Sequence, residues 1–316
     1  MSNPSAASAD YGSPLIVVTG GAGFIGSHLV EALVKERFRV RVLDDLSSGK
    51  LSNLSQVEKS MEFHQADVRD QKQVENIIAG AKVVYHLAGM SSVPQSLNDP
   101  KLCLEINGQG TLNVFEASAK GGVERLVYAS SSAVYGDLPS PHVETMTPQP
   151  NTPYAAIKLL GEHLGLFYSR SFNVKTICLR YFNVYGPRQS PDGADAGVIP
   201  IFVKALSEGR PAVVFGSGRQ TRDFIHVRDV VRATMSAGSV IEPSDGVFNV
   251  AAGQAISINE LLQLMKRIFP DALEPLHAPA REGDPIDSAA IIDEAKNILG
   301  FEASISLAEG LAELFS

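Results

Sequence analysis

The sequence predicts an α/β chain built on a doubly wound parallel sheet, with a smaller, partly interleaved α/β lobe. Three observations carry this. Short β-branched apolar runs alternate with amphipathic stretches through the first half. The runs lack the in–out alternation of half-exposed strands, so they read as parallel strands buried on both faces. A glycine-rich turn separates the first run from the first amphipathic stretch.

Residues 1–13 are Ser/Ala-rich and carry no Lys or Arg, so they read as a loose tail and not as a secretory leader. LIVV at 15–18, VRVLD at 40–44, VVYHLA at 83–88, RLVYASS at 125–131 and KTICLRY at 175–181 are the predicted strands. Helices are expected at 24–36, 71–79, 101–120 and 153–171, the last started by Asn151 and Pro153. The sheet unit is expected over 14–181 and the smaller lobe over 182–316. GPRQSPDGADAGV at 186–198 holds three Gly and two Pro and reads as a long irregular loop of functional type. A helix near 199–208, two short strands within 209–227, a helix near 226–240, a strand at 248–251 and a helix at 257–268 follow. Residues 280–316 read as a loop and then helices.

The 316 residues carry 27 Lys+Arg against 35 Asp+Glu, a net charge of −8. A binder of the nucleic-acid backbone would need a basic stripe, so no nucleic-acid partner is expected. No window of about 18 uninterrupted apolar residues occurs, so no membrane span is expected. Cys103 and Cys178 lie far apart in apolar surroundings and form neither a disulfide framework nor a metal signature. A reducing cytoplasm is the expected compartment.

LIVVTGGAGFIG sets Gly20, Gly23 and Gly26 on a strand–turn–helix boundary, followed by Phe24 and Ile25 at the helix start. Such glycines let backbone N–H groups approach a pyrophosphate at the positive end of a helix. Asp44 ends the second strand about 20 residues on, where an acid accepts from the adenosine ribose hydroxyls. Asp44 and Asp45 would repel a 2′-phosphate, which favours NAD over NADP. Asp67 in QADVRD, with Val68 beside it, is a candidate for the adenine amino group. Leu87 and Ala88 are further candidates to line the cofactor. No metal ligands are expected.

Tyr154 and Lys158 stand at i and i+4 on one helix face. A lysine beside a tyrosine favours the phenolate, which makes Tyr154 a candidate general base. Ser131 ends a strand in SSSAVYG, where its hydroxyl can bond the same reacting oxygen. Ser130 and Ser132 read as strand-end neighbours.

GGAGFIG, Asp44, HLAG, SSSAVYG, YAAIK, RYFNVYGPRQ and RDFIHV occur in order over nearly the whole chain. Together they resemble the extended short-chain dehydrogenase/reductases, in the nucleotide-sugar 4-epimerase branch. The resemblance implies a Rossmann-type sheet, bound NAD, a UDP-sugar substrate and a homodimer paired through two helices. It implies that Tyr154 takes the O4 proton, that Lys158 binds the nicotinamide ribose and tunes Tyr154, and that Ser131 aligns O4. Asn107 resembles the family's structural Asn beside the site. Sugar dehydratases carry an Asp–Glu pair where this chain has Ser132 and Ala133, and decarboxylases carry a Glu at the Ala133 position, so both activities are unexpected. Asn183, Gln189, Gly197 and Val198 resemble residues that hold the sugar and diphosphate. Arg222 and Arg281 resemble the diphosphate arginines, and Asp284 the acid on the uridine ribose. Phe215 and Gly218 resemble the frame of the uracil. Ser91, Ser132 and Ser288 resemble small or polar positions lining the sugar, and Ser288 leaves room for a 2-acetamido group. The implied activity is 4-epimerisation of UDP-GlcNAc and UDP-Glc. One alternative is UDP-glucuronate epimerisation with Arg188 on the carboxylate; the other is a non-catalytic dinucleotide sensor.

Overall fold

The computed structural model describes residues 13–192, 196–242, 245–280 and 287–315. The first half runs β1 (Leu15–Thr19), α1 (Phe24–Lys35), β2 (Arg39–Asp44), β3 (Met61–Gln65), α2 (Gln71–Ile78) and β4 (Val83–His86). It continues through α3 (Val93–Asn98), α4 (Pro100–Cys103), α5 (Gly110–Gly121), β5 (Arg125–Ser131), α6 (Pro153–Phe172) and β6 (Lys175–Tyr181). The second half runs β7 (Val184–Tyr185), α7 (Val198–Ser207), β8 (Val213–Phe215), β9 (Thr221–Asp223), β10 (Ile225–His226) and α8 (Val227–Ser239). It ends with β11 (Gly246–Val250), β12 (Ala255–Ser257), α9 (Ile258–Ile268), β13 (Leu276–Ala278), α10 (Asp293–Leu299) and α11 (Leu307–Leu314).

Seven strands form one parallel sheet in the order β11-β6-β5-β4-β1-β2-β3. The strand order reverses at β1, between β4 and β2, and ligands of such sheets bind beyond the strands' carboxyl ends at that point. Both faces of β1 are buried. Ile16 and Val18 pack with Leu29 and Val30 of α1 and Val230 of α8. Leu15 and Val17 pack on the other side with Val74 of α2, Phe115 of α5 and Tyr168 of α6. A third apolar cluster joins Phe202 of α7, Val214 of β8, Leu261 of α9 and Leu311 of α11. It underlies the three two-stranded sheets β10–β7, β12–β9 and β13–β8.

The chain after residue 182 crosses between these clusters. α7 and β8 belong to the third cluster, α8 returns to the face of the main sheet, and β11 extends that sheet beside β6. β11 is available as an edge because β6 presents an open ladder, which no local pattern in its sequence announces.

Three of the boundaries that differ from those read off the sequence bear on the site. The strand expected at 83–88 ends at His86, because Leu87 and Ala88 turn to donate their N–H groups to Thr19 O and Oγ1 at 3.1 and 3.2 Å. The helix expected at 101–120 starts at Pro100 and contains a π-helical turn, Leu104–Gln109, that carries Asn107. α6 is capped by Thr152 and not by Asn151: Thr152 Oγ1 accepts from Ala155 N at 3.2 Å, while Asn151 donates to Asp137. Among the described residues no helix is long and apolar enough to cross a membrane. Cys103 and Cys178 are both buried free thiols.

Candidate active site and nucleotide clefts

The glycine turn closes over the carboxyl end of β1. Gly20 has φ +70°, and a side chain there would meet Ala88 N at 2.7 Å. At Gly26 a Cβ would sit 2.0 Å from Gly20 O, so only glycine fits that helix-to-turn contact. α1 begins on Gly23 with no side-chain cap and no acid in its first turn. Its first N–H groups, which have no intrahelical acceptor, are therefore left for an anion. Asp44 is 6% exposed, with Oδ2 accepting from Ala22 N and Oδ1 from Leu46 N, each at 2.8 Å. Burial pushes its pKa up, and these two backbone donors hold it back. Asn53 Nδ2 donates to Ala22 O at 2.9 Å and ties the 46–53 segment to the turn. These residues form the cradle a dinucleotide requires: backbone donors at a helix start, no room for a Cβ, and a carboxylate at the next strand end. Phe24 and Ile25 supply the first turn of α1, and Leu87 and Ala88 the opposite wall.

Asp67 lies past the end of β3 and is bidentate with Arg69, at 2.9 Å to Nε and 2.5 Å to Nη2 through Oδ2. That side-chain bond holds its carboxyl below the usual range. Val68 packs on Gly110, and its carbonyl accepts from Asn113 Nδ2 at 2.9 Å. Asn107 clamps the loop after β4 with both ends of its amide. Oδ1 accepts from Met90 N at 2.7 Å, and Nδ2 donates to Met90 O at 2.9 Å.

Ser131, Tyr154 and Lys158 converge beyond β5. Lys158 Nζ donates to Ala129 O at 2.7 Å and lies 5.8 Å from the Tyr154 ring centroid. Burial pulls Lys158 down to about 8, while Cys103 and Glu162 oppose the fall. Tyr154 differs from the sequence-based expectation. Burial pushes its phenol up, and the Ser131 hydroxyl is the group that pulls it back. Ser131 Oγ also accepts from Ala133 N at 3.2 Å, where it starts the 3₁₀ turn Ser132–Tyr135. Neither Ser132 nor Ala133 brings a carboxylate to that turn.

A cleft of about 500 Å³ opens beside the third cluster, lined by Asn183, Gln189, Gly197, Val198, Phe215 and Arg222 among others. Six residues picked from the sequence, spread over forty positions of the chain, thus share one cavity. Asn183 Nδ2 donates to Asp223 O at 3.1 Å. Gln189 Nε2 donates to Val184 O at 3.1 Å, and its buried Oε1 has no donor among the described residues. α7 starts on Gly197 with neither a side-chain cap nor an acid in its first turn, the same arrangement as α1. Ser288 is buried, and its N–H donates to Thr221 O at 3.2 Å, next to Arg222. Ser91, Ser132 and Ser288 do not line the cleft. Gly218 packs on Asn259 outside it. Arg281 and Asp284 lie outside the described residues. Arg188, the residue set against a substrate carboxylate in the alternative reading, donates to Ser27 Oγ at 3.1 Å and Glu31 Oε1 at 2.5 Å on α1.

A model of the NAD dependent epimerase/dehydratase family matches residues 16–251. The chain belongs to this family. NAD is its cofactor, which the cradle around Gly20, Gly26 and Asp44 fits. A UDP-glucose 4-epimerase of Mycolicibacterium smegmatis is 40% identical over 305 residues, 94% of this chain and 96% of that protein. The UDP-glucose 4-epimerase of Thermus thermophilus in complex with NAD is 37% identical, covers 95% and 97% of the two chains, and superposes with a TM-score of 0.87. A UDP-N-acetylglucosamine 4-epimerase of Methanobrevibacter ruminantium, in complex with UDP-N-acetylmuramic acid, is 34% identical with a TM-score of 0.92 over 96% and 97%. The sugars named for these relatives differ, so membership alone does not select one.

The sequence reading missed the polar groups under the site. His86 is buried between Thr19 Oγ1 at 2.7 Å and Thr111 Oγ1 at 2.9 Å, and burial pulls it down to about 3, so it is neutral. Glu162 and Arg180 form a buried ion pair at 2.7 Å. One signal for Glu162 was legible: it follows Tyr154 and Lys158 at the same four-residue spacing.

Proposed function

We propose that this chain is an NAD-dependent 4-epimerase of UDP-hexoses that accepts N-acetylated sugars, acting through a transient 4-keto sugar. The observation that carries the reading is the meeting of Ser131, Tyr154 and Lys158 at the end of β5 without any carboxylate in the following turn. Bound NAD supplies the hydride acceptor and donor for C4. Gly20, Gly23, Gly26 and Asp44 hold its pyrophosphate and ribose, and Lys158 its nicotinamide ribose. Tyr154 takes the O4 proton and later returns it, while Ser131 donates to the same oxygen as charge develops there. With no acid at Ser132 or Ala133, the chain has no group there to drive loss of water or of carbon dioxide.

The uncapped start of α7 at Gly197 and the Arg222 side chain support diphosphate binding in the cleft. Phe215 is the candidate to frame the uracil, and Asn183 and Gln189 the candidates for sugar hydroxyls. A small buried Ser288 supports room for a 2-acetamido group. The glucuronate reading loses its cation, because Arg188 is engaged by Glu31. A homodimer is part of the proposal: Leu160 and Phe167, seven residues apart on one face of α6, and Leu104 of the adjoining π-helical turn are exposed apolar groups. Buried free thiols fit a cytoplasmic setting.

The test is product analysis of the purified chain with UDP-GlcNAc, UDP-Glc and UDP-GlcA in parallel. Interconversion at C4 of the first two is expected, without consumption of added NAD. Tyr154→Phe should lower kcat roughly 10²–10⁴-fold. Turnover of UDP-GlcA alone, or near-normal turnover by Tyr154→Phe, overturns the proposal.

A further inference from the structure

Tyr154, Lys158 and Glu162 stand one helical turn apart on α6, and all three are buried. Opposite them lie three consecutive residues at the end of β5. Lys158 Nζ donates to Ala129 O at 2.7 Å, Ser130 Oγ donates to Glu162 Oε1 at 2.5 Å, and the Ser131 hydroxyl reaches the Tyr154 phenol. The helix thus clasps the strand residue by residue. Glu162 is held in turn from β6: Arg180 Nε donates to Oε1 at 2.9 Å and Nη2 to Oε2 at 2.7 Å. The guanidinium carbon lies 4.7 Å from the Tyr135 ring centroid, and Tyr135 Oη donates to Asn249 Oδ1 on β11 at 2.7 Å. Buried ion pairs are often replaceable by packed apolar groups with no loss of stability, so stability is a poor reason for this one. Its geometry, aimed at the serine beside Ser131, supplies a better one.

We infer that Glu162, held by Arg180, is a positioning residue for the Tyr154–Ser131 pair, acting through Ser130 at the end of β5. The inference rests on the reading of Ser131, Tyr154 and Lys158 as the reacting groups. Glu162 has a second effect through charge. The groups facing the Lys158 ammonium are Glu162 on its own helix, Cys103 of α4, neutral His86 of β4, and the rings of Tyr128 and Tyr154. Of these, Cys103 and Glu162 favour the cation against burial. Removing the Glu162 charge therefore moves the Lys158 titration down from about 8, and the alkaline limb of kcat with it.

The experiment uses the NAD-loaded chain and compares Ser130→Ala, Glu162→Gln and Tyr154→Phe. Ser130→Ala cuts one bond and leaves the Glu162–Arg180 pair intact. It should lower kcat about tenfold, the scale of one lost hydrogen bond, with KM for the UDP-sugar nearly unchanged. Amide exchange across residues 129–136, measured without sugar, should speed up in the same variant. Glu162→Gln should lower kcat further and shift its alkaline limb to lower pH. If Glu162→Gln does not fold, Ser130→Ala decides the matter alone. Unchanged kcat and unchanged exchange in Ser130→Ala, with Tyr154→Phe inactive, overturn the inference. So does a Glu162→Gln enzyme that loses melting temperature but keeps the wild-type pH profile. If Tyr154→Phe turns over normally, the reading of the reacting groups falls instead.

Discussion

The cofactor cradle and the cleft at Asn183–Arg222 both use a helix that starts on an uncapped glycine, α1 on Gly23 and α7 on Gly197. They are built differently around it. The cradle is a short contiguous stretch whose geometry is backbone: Gly20 at positive φ, Gly26 against Gly20 O, and Asp44 fixed by two peptide N–H groups. The cleft is walled by side chains gathered from α7, the loop after β7, and β8 and β9, the last two each on a sheet only two strands wide. A backbone site tolerates almost no change. A side-chain site can be reshaped one residue at a time, which is how relatives on one scaffold come to be named for different sugars.

The largest expected effect tests the backbone half. Gly26→Ala adds one methyl group, yet places it 2.0 Å from Gly20 O. Bound NAD, measured by mass spectrometry after denaturation, should drop on the order of 100-fold or more, since the clash exceeds ordinary overpacking. Retention of NAD by Gly26→Ala would break the contrast between the two regions.

The sugar side, tested at Ser288 behind Thr221, should answer more selectively. Ser288→Tyr adds a whole ring, yet should leave NAD in place. With the acetamido group beside Ser288, kcat/KM for UDP-GlcNAc should fall roughly 10- to 100-fold while UDP-Glc is spared. Equal losses on both sugars would mean general damage, and no loss on either would put Ser288 outside the sugar pocket.

The smallest effect is expected at Lys158, which lies outside the cleft lining and is held by Ala129 of β5. Its cation is needed beside Tyr154, and burial has brought its pKa to about 8. We expect kcat to fall about tenfold per pH unit above that value in a profile measured with saturating sugar. The sign for stability is opposite. Between about 8 and the unfolded lysine value the unfolded chain holds more protons than the folded one, so this residue's contribution to stability improves as pH rises. A kcat profile flat from pH 7 to roughly 10 would remove Lys158 from the chemistry.

The two halves also differed in how far the sequence disclosed them. The buried strands, the glycine turn, Asp44 and the Tyr154–Lys158 spacing were legible, since each is set by neighbours within a turn or a strand. Asn107 was legible as a structural Asn beside the site, although its partner Met90 was not. The ion pair of Arg188 with Glu31 was not legible, because it joins residues 157 positions apart. Separation in sequence also hid the return of β11 to the main sheet beside β6 and, over only 18 positions, the Arg180 grip on Glu162.

Local periodicity and turn stereochemistry act over a few residues, so the sequence alone determined the parallel sheet, the cofactor turn and the helix that carries Tyr154 and Lys158. Only the tertiary structure decided how protons sit on those groups. Lys158 was expected to bring the Tyr154 phenol down. Instead its ammonium bonds Ala129 O, burial raises the phenol, and Ser131 supplies the opposing pull. Burial and hydrogen-bond direction depend on atoms brought together from β5, β6 and α6, and a spacing of four residues along one helix carries no information about them.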